Sequence, residues 1–297
     1  MQHSFIRSES IKMSKANNRA PVFIVAPYAR SGTNYLHDVL SSISEFSYLN
    51  FSFSKRNTTL FEDHMLVYSD YLKAYCEATQ AQWNYGNNIL VENEKEYSKY
   101  LMQAIGKGIL SNLTNLIEPG KRLLTKTPNA TGIHNFFQFF PQAVLLIIVR
   151  DGRDTVDSAV KTFKGPFKYH TKKWSEGSKI ILDFISKDNK REGSQWKLIK
   201  YEDLFLKTVE VIRELLPLLE LSDEKINWDK VINLPIRGSS THSIDEHGEV
   251  HWKPMNKTES FNPIGKWEAW QDEKKNIFKA NAGKELIELG YAGDDNW

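Results

Sequence analysis

Residues 21–42 constrain the fold more than any other stretch. Pro21-Val-Phe-Ile-Val25 is a short apolar run rich in β-branched residues and predicts a buried strand. Residues 26–32 predict a tight turn. From Thr33 to about Ser42, Leu36, Val39 and Leu40 recur at helical spacing. A strand feeding a helix through a short loop presents free backbone N–H groups and the positive end of a helix dipole at one point. Within Tyr28-Ala-Arg-Ser-Gly-Thr-Asn-Tyr35, Gly32 permits close backbone approach. Ser31, Thr33 and Asn34 add hydrogen-bond donors, and Arg30 adds a permanent cation. We read a phosphate- or sulfate-binding loop, against the alternative of an ordinary strand-to-helix turn.

The loop does not follow the ATPase and GTPase pattern G-x-x-x-x-G-K-[ST]. Ala26 stands at the first glycine, Thr33 directly follows Gly32, and the lysine is missing.

Further strands are expected at 122–125, 144–149 and 196–201. Helices are expected at 94–117, 131–140, 154–161, 169–186, 203–219 and 272–289. Residues 126–129 are expected as a loop. Alternating strands and helices argue for one α/β domain over 21–297, a central parallel sheet flanked by helices on both faces, behind a flexible N-terminal arm over 1–20. Residues 51–93 are aromatic and weakly patterned, and read either as pocket lining or as short packed helices. Residues 235–263 are rich in Gly, Ser and His without period, and read as a long functional loop or lid.

Composition removes several function classes. Lys and Arg number 39 against 37 Asp and Glu, a net charge of +2. That gives no case for nucleic acid or a charged membrane surface as partner. Hydrophobic residues are 40% and charged residues 26%, which argues for a globular chain over a disordered one. Cys76 is the single cysteine of the 297 residues, so neither an internal disulfide nor a cysteine zinc site is expected. A reducing, cytoplasmic setting fits. The apolar run at 144–149 is too short to span a bilayer, and the first residues carry no apolar signal core. A homodimer is the one assembly left open.

A second constellation follows the strand at 144–149. Arg150 stands at its carboxyl end, where open α/β sheets bind ligands, and Ser158 follows about two helical turns later. A guanidinium fork and a hydroxyl can grip one phosphate from two sides. Taken alone, a surface ion pair and a helix-filling serine would explain both.

Together the two constellations resemble the sulfotransferases that use 3′-phosphoadenosine 5′-phosphosulfate (PAPS). Tyr28-Ala-Arg-Ser-Gly-Thr-Asn-Tyr35 is similar to that family's 5′-phosphosulfate loop, Y-P-K-S-G-T-x-W, with Arg30 at the lysine and Ala29 at the proline. Arg150-Asp-Gly-Arg-Asp154 through Ser158 is similar to the 3′-phosphate motif R-[DN]-P-[RK]-D…S, with Gly152 at the proline. Lys200-Tyr-Glu-Asp-Leu204 resembles the Y-E-D-L segment, whose tyrosine lies beside the adenine. Arg237-Gly238 resembles the late Arg/Gly element over the 3′-phosphate. Ile264-Gly-Lys-Trp267 and Leu289-Gly-Tyr291 are similar to bacterial members.

The resemblance implies a P-loop-like sulfotransferase fold and sulfuryl transfer from PAPS to a hydroxyl or amine of a small-molecule acceptor, releasing adenosine 3′,5′-bisphosphate (PAP) without a catalytic metal. It implies that Arg30, Ser31, Gly32, Thr33, Asn34 and Tyr35 hold the phosphosulfate. Arg150, Ser158, Arg237 and Gly238 would hold the 3′-phosphate, and Tyr201 the base. Arg30 would neutralise charge on the bridging oxygen. Lys126, in a Lys-Thr-Pro segment like that of bacterial and heparan-type members, is a second candidate cation.

A hydroxyl acceptor requires a general base within hydrogen-bond reach. His64 is the first choice, then Glu62, then Asp63. His37 and His134 are alternatives that packing would also explain. His242, His247 and His251 read as solvated loop histidines rather than metal ligands. Tyr68, Tyr71, Trp83, Tyr85, Phe163, Phe167, Tyr169 and Trp252 are candidates for an acceptor wall. Two other functions stay open: a carbohydrate or glycolipid sulfotransferase, and a non-catalytic PAP-binding protein.

Overall fold

The computed structural model describes residues 19–48, 94–237 and 261–297. Five strands form one sheet in the order β2-β3-β1-β4-β5. They are β1 (Val22–Val25), β2 (Phe46–Tyr48), β3 (Arg122–Thr127), β4 (Val144–Val149) and β5 (Trp196–Lys200). Every pairing is parallel, with Val22 of β1 opposite both Leu124 of β3 and Val144 of β4. The sheet is therefore the parallel α/β sheet that the alternation predicts.

The helices are α1 (Thr33–Ser41), α2 (Glu94–Asn115), α3 (Phe136–Phe139), α4 (Gly152–Phe163), α5 (Phe167–Lys187), α6 (Tyr201–Leu206), α7 (Thr208–Leu219), α8 (Trp228–Ile232) and α9 (Asp272–Glu288). Alternate strand residues enter opposite cores, as the twofold strand period requires. Phe23, Val25, Leu145, Ile147 and Val149 pack against α3, α5 and α9 through Phe136, Trp174, Phe184 and Phe278. Val22, Ile24, Leu146 and Ile148 pack against α1 and α7 through Leu36, Leu40, Ile212 and Leu215. Burial on both faces explains why β4 is apolar throughout.

The structure departs from the sequence expectations locally: α8 was not expected, and the helix expected over 131–140 is a 3-10 turn (Ile133–Asn135) followed by α3. The three-residue β2 was not expected. β3 continues through Thr127, so Lys126 belongs to a strand and not to a loop. The helix expected over 203–219 is two helices broken at Lys207, where the backbone leaves the helical region (φ −132°, ψ 49°).

β1 and β4 are neighbours, and the chain leaves β1 toward β2 at one edge of the sheet and β4 toward β5 at the other. That switch point leaves a crevice at the carboxyl ends of β1 and β4. The loop at 26–32 and Arg150 both enter it.

Candidate active site

The loop after β1 is held in an uncommon conformation. Arg30 has φ 75°, left-handed for a non-glycine residue, and Gly32 has φ 99° as it caps α1. The Tyr201 ring lies directly on Gly32, and a Cβ there would sit 2.3 Å from the ring. Only glycine gives both the backbone angle and the room. Ser31 is fully buried and its hydroxyl donates to the Tyr28 carbonyl at 2.8 Å, which tightens the turn. The first N–H groups of α1 face the crevice, as any helix N-terminus leaves them.

One pocket collects nine of the predicted residues; fully buried Ser31 is not among those that line it. Arg30, Gly32, Thr33, Asn34, Tyr35, Arg150, Ser158, Tyr201 and Arg237 all line it. Arg150 donates to the Arg30 carbonyl at 3.0 Å and to the Pro263 carbonyl at 2.6 Å. Its guanidinium lies 4.8 Å from the centre of the Tyr201 ring, a cation–π contact. The buried Arg150 Nε has no partner among the described residues. Arg30 Nε donates to the Ser158 hydroxyl at 3.1 Å, so the two constellations touch. Burial and the Arg150 charge push Arg30 down to about 10, which leaves it cationic at neutral pH. Tyr201 is pushed up to about 12 by burial and keeps its proton.

Arg237 is engaged from behind. Its Nε donates to Asp38 Oδ2 at 2.7 Å and a terminal nitrogen donates to Oδ1, a bidentate pair. Asp38 lies on α1, so this pair ties Arg237 to the helix that starts at the anion loop. Neighbouring His37 is buried, and burial, Lys126 and Arg237 together outweigh Asp38 and lower its pKa. His37 is therefore neutral at pH 7. His134 packs beside Phe184 with Asp183 at 3.5 Å, away from the pocket. Tyr35 exchanges a hydrogen bond with Thr208 at 2.9 Å. Lys126 is not among the pocket-lining residues. His64, Glu62, Asp63, Gly238, His242, His247 and His251 lie outside the described residues, as do Tyr68, Tyr71, Trp83, Tyr85 and Trp252.

Sequence reasoning assigned no role to several lining residues, namely Asp154, Asp157, Ile236, Phe261, Pro263 and Lys266. Lys266 is a further cation whose pKa is lowered by burial and by Lys161 and Arg150. The Ile264-Gly-Lys-Trp267 motif was visible, and only the fold shows that it returns to the pocket. Among the described residues no cluster of His, Cys, Asp and Glu suits a metal ion, and no helix is long and apolar enough to cross a membrane.

The sulfotransferase family profile matches residues 21–225. This chain belongs to the sulfotransferase family. The match spans the loop after β1, the Arg150–Ser158 pair and Tyr201. The sulfotransferase is 22% identical over 277 residues to a protein-tyrosine sulfotransferase of Drosophila melanogaster, covering 89% of this chain and 50% of that protein. The chain thus spans half the length of that relative. Among solved structures it resembles the sulfotransferase domain of the Synechococcus PCC 7002 olefin synthase, with a TM-score of 0.55 and 15% identity over 96% of this chain and 99% of that one. It also resembles mouse sulfotransferase SULT7A1 complexed with PAP, with a TM-score of 0.44 and 13% identity over 91% of this chain and 86% of that one.

In this sulfotransferase the motif acids serve as anchors for the C-terminal segment. Asp154 accepts from the backbone of Gly265 at 2.7 Å and Trp267 at 3.2 Å. Glu202 accepts from the Asp151 backbone and the Tyr291 hydroxyl, each at 2.9 Å. Buried Arg153 makes a two-pronged pair with Asp151 and donates to the Tyr291 carbonyl. Its guanidinium lies 3.4 Å and 4.4 Å from the ring centres of Trp267 and Trp297. These contacts fasten the C-terminal segment over the first turn of α4 and complete the pocket wall.

Proposed function

We propose that this sulfotransferase moves a sulfuryl group from PAPS to a hydroxyl or amine of a small-molecule acceptor, such as a natural product, in the cytoplasm, releasing PAP. One observation carries this reading: Arg30, Ser158, Arg150, Tyr201, Arg237 and Lys266 converge on one pocket beside the N-terminus of α1. An adenosine bearing two separated anionic groups needs such a set, with cations at two points and an aromatic face between them. The orphaned Arg150 Nε and the cradle that Tyr201 makes with Gly32 fit that ligand.

Sulfuryl transfer breaks the donor's bridging sulfur–oxygen bond and forms a new sulfur–oxygen bond, or sulfur–nitrogen bond with an amine, through a loose, anionic transition state, by analogy with phosphoryl transfer. The chain's contribution is then orientation and fixed positive charge. In this reading the α1 N–H groups and Arg30 hold the phosphosulfate end, with Lys126 a second cation. Arg150, Ser158 and Arg237 hold the 3′-phosphate, and Lys266 adds charge there. Tyr201 supports the adenine. The acceptor proton passes to a base for which His64, then Glu62, is the candidate. Phe163 and Tyr169 are about half exposed near the loop and suit an acceptor with a flat apolar face. The name of the Drosophila relative favours a second acceptor class, the tyrosine hydroxyl of a protein.

Calorimetric titration with PAP tests the donor site, with ATP and the Arg150→Ala variant as controls. Tight PAP binding, weak ATP binding and loss in the variant are expected. A folded wild type that does not bind PAP overturns the reading. Transfer from labelled PAPS to a phenol or to a tyrosine peptide then separates the two acceptor classes.

A further inference from the structure

We propose that His170 is a positioning residue for the anion loop. Anchored by the Lys164 carbonyl, it fixes the Tyr28 hydroxyl and thereby the backbone that carries Arg30. The proposal rests on the function just given and adds a residue that no motif contains.

His170 is buried in the first turn of α5. Its Nε2 lies 2.5 Å from the Lys164 carbonyl. A carbonyl only accepts, so Nε2 carries a proton. In the neutral ring Nδ1 is then an acceptor, and the Tyr28 hydroxyl donates to it at 2.8 Å. Burial and nearby Tyr169 push Tyr28 up to about 12, so this hydroxyl keeps its proton to donate. With the neutral ring the relay runs from Tyr28 to His170 to the Lys164 carbonyl. The Lys164 carbonyl is presented because α4 ends there, with Lys164 at φ 61° and Gly165 at φ 89°.

α5 grips the same loop at a second point. Gly177, two turns beyond His170, lies against the Pro27 backbone, and a Cβ there would sit 1.9 Å from the Pro27 carbonyl oxygen. One helix face therefore holds Pro27 by contact and Tyr28 by a hydrogen bond. Ser31 returns to the Tyr28 carbonyl, and between them Arg30 sits at φ 75°. A left-handed non-glycine residue is held against a steric cost, so it depends on the contacts on either side. Arg150 secures the far side through the Arg30 carbonyl, and His170 secures the near side through Tyr28.

Loosening the near side shifts the Arg30 guanidinium. Arg150 keeps its contacts with Pro263 and the Tyr201 ring, so transfer suffers more than nucleotide affinity. The bland alternative is that His170 only fills space among Tyr28, Phe163 and Tyr169, whose ring centres lie 5.3–6.5 Å away.

The test compares Tyr28→Phe, which removes one oxygen, with His170→Phe, which keeps a ring, and with both together. Single-turnover loss of the labelled sulfuryl group from PAPS, to a phenol acceptor or to water with PAP as the leaving group, is measured beside PAP affinity. Each single variant is expected to slow this loss by about five- to tenfold, with PAP affinity within about threefold of wild type. The double variant is expected to be no slower than the slower single, since one bond is lost only once. Rates within about twofold of wild type, effects that multiply, or affinity that falls in step with rate would each overturn the role. A wild type that binds PAP and transfers no sulfuryl group overturns it too. A wild type that does neither removes the functional reading, and the positioning role goes with it.

Discussion

Arg150 donates to the backbone carbonyl of Arg30 at 3.0 Å, so the cation of one motif holds the main chain of the other. The same guanidinium reaches Pro263 and lies over Tyr201. A planar fork serves three directions at once, and an ammonium does not. Arg150→Lys keeps the charge and loses this geometry. We expect PAP affinity to fall at least about tenfold, and thermal stability to drop by about 1–2 kcal/mol. Calorimetry and a thermal melt measure both. Unchanged affinity would show that charge alone matters here.

Gly152 departs from the family pattern that the sequence otherwise resembles, and Trp174 explains why. Its indole occupies the space a side chain would need, and a Cβ at Gly152 would sit 2.5 Å from the ring. The position opens α4, where proline suits the backbone. Gly152→Pro alone is therefore expected to destabilise by about 1–3 kcal/mol, from overpacking. In a Trp174→Leu background the added cost should largely disappear. Denaturant melts of the four proteins in this cycle decide it. An equal cost in both backgrounds would mean that the backbone, and not the indole, excludes proline.

The Asp38–Arg237 pair predicts a pH dependence with a definite sign. Burial pushes the Asp38 carboxyl up, but hydrogen bonds from His37 and Arg237 outweigh it and hold it below 3.8. A carboxyl with a lowered folded pKa adds stability that is complete above its ordinary value and lost as pH falls through the lowered one. Asp38→Asn should thus be less stable than wild type at pH 7, and the gap should close in acid. Urea melts at both ends of that range test this. A gap that persists below the folded pKa would assign the effect to packing.

Much of the fold was legible because buried strands carry their signal in a continuous apolar run, as β1 and β4 do. The three residues of β2 are too few to carry a period. The break at Lys207 was hidden because Leu204, Ile212, Leu215 and Leu216 keep helical spacing across it. Nine of the proposed ligands were readable and do meet in one pocket, since their motifs are contiguous. His170 was not, because its role depends on a contact with Tyr28 that is 142 residues distant in sequence. Lys266 had a visible motif and no visible purpose until Asp154 was seen to fasten its neighbours.

That fastening has a consequence for how the enzyme is made. The pocket includes Phe261, Pro263 and Lys266, and the acids that anchor this wall, Asp154 and Glu202, wait for partners at Gly265, Trp267 and Tyr291. A nascent chain on the ribosome can assemble the anion loop long before those residues emerge from the exit tunnel. The pocket wall is thus closed only by residues made after the last strand, β5, so the anion loop and the sheet precede the completed pocket in the order of synthesis.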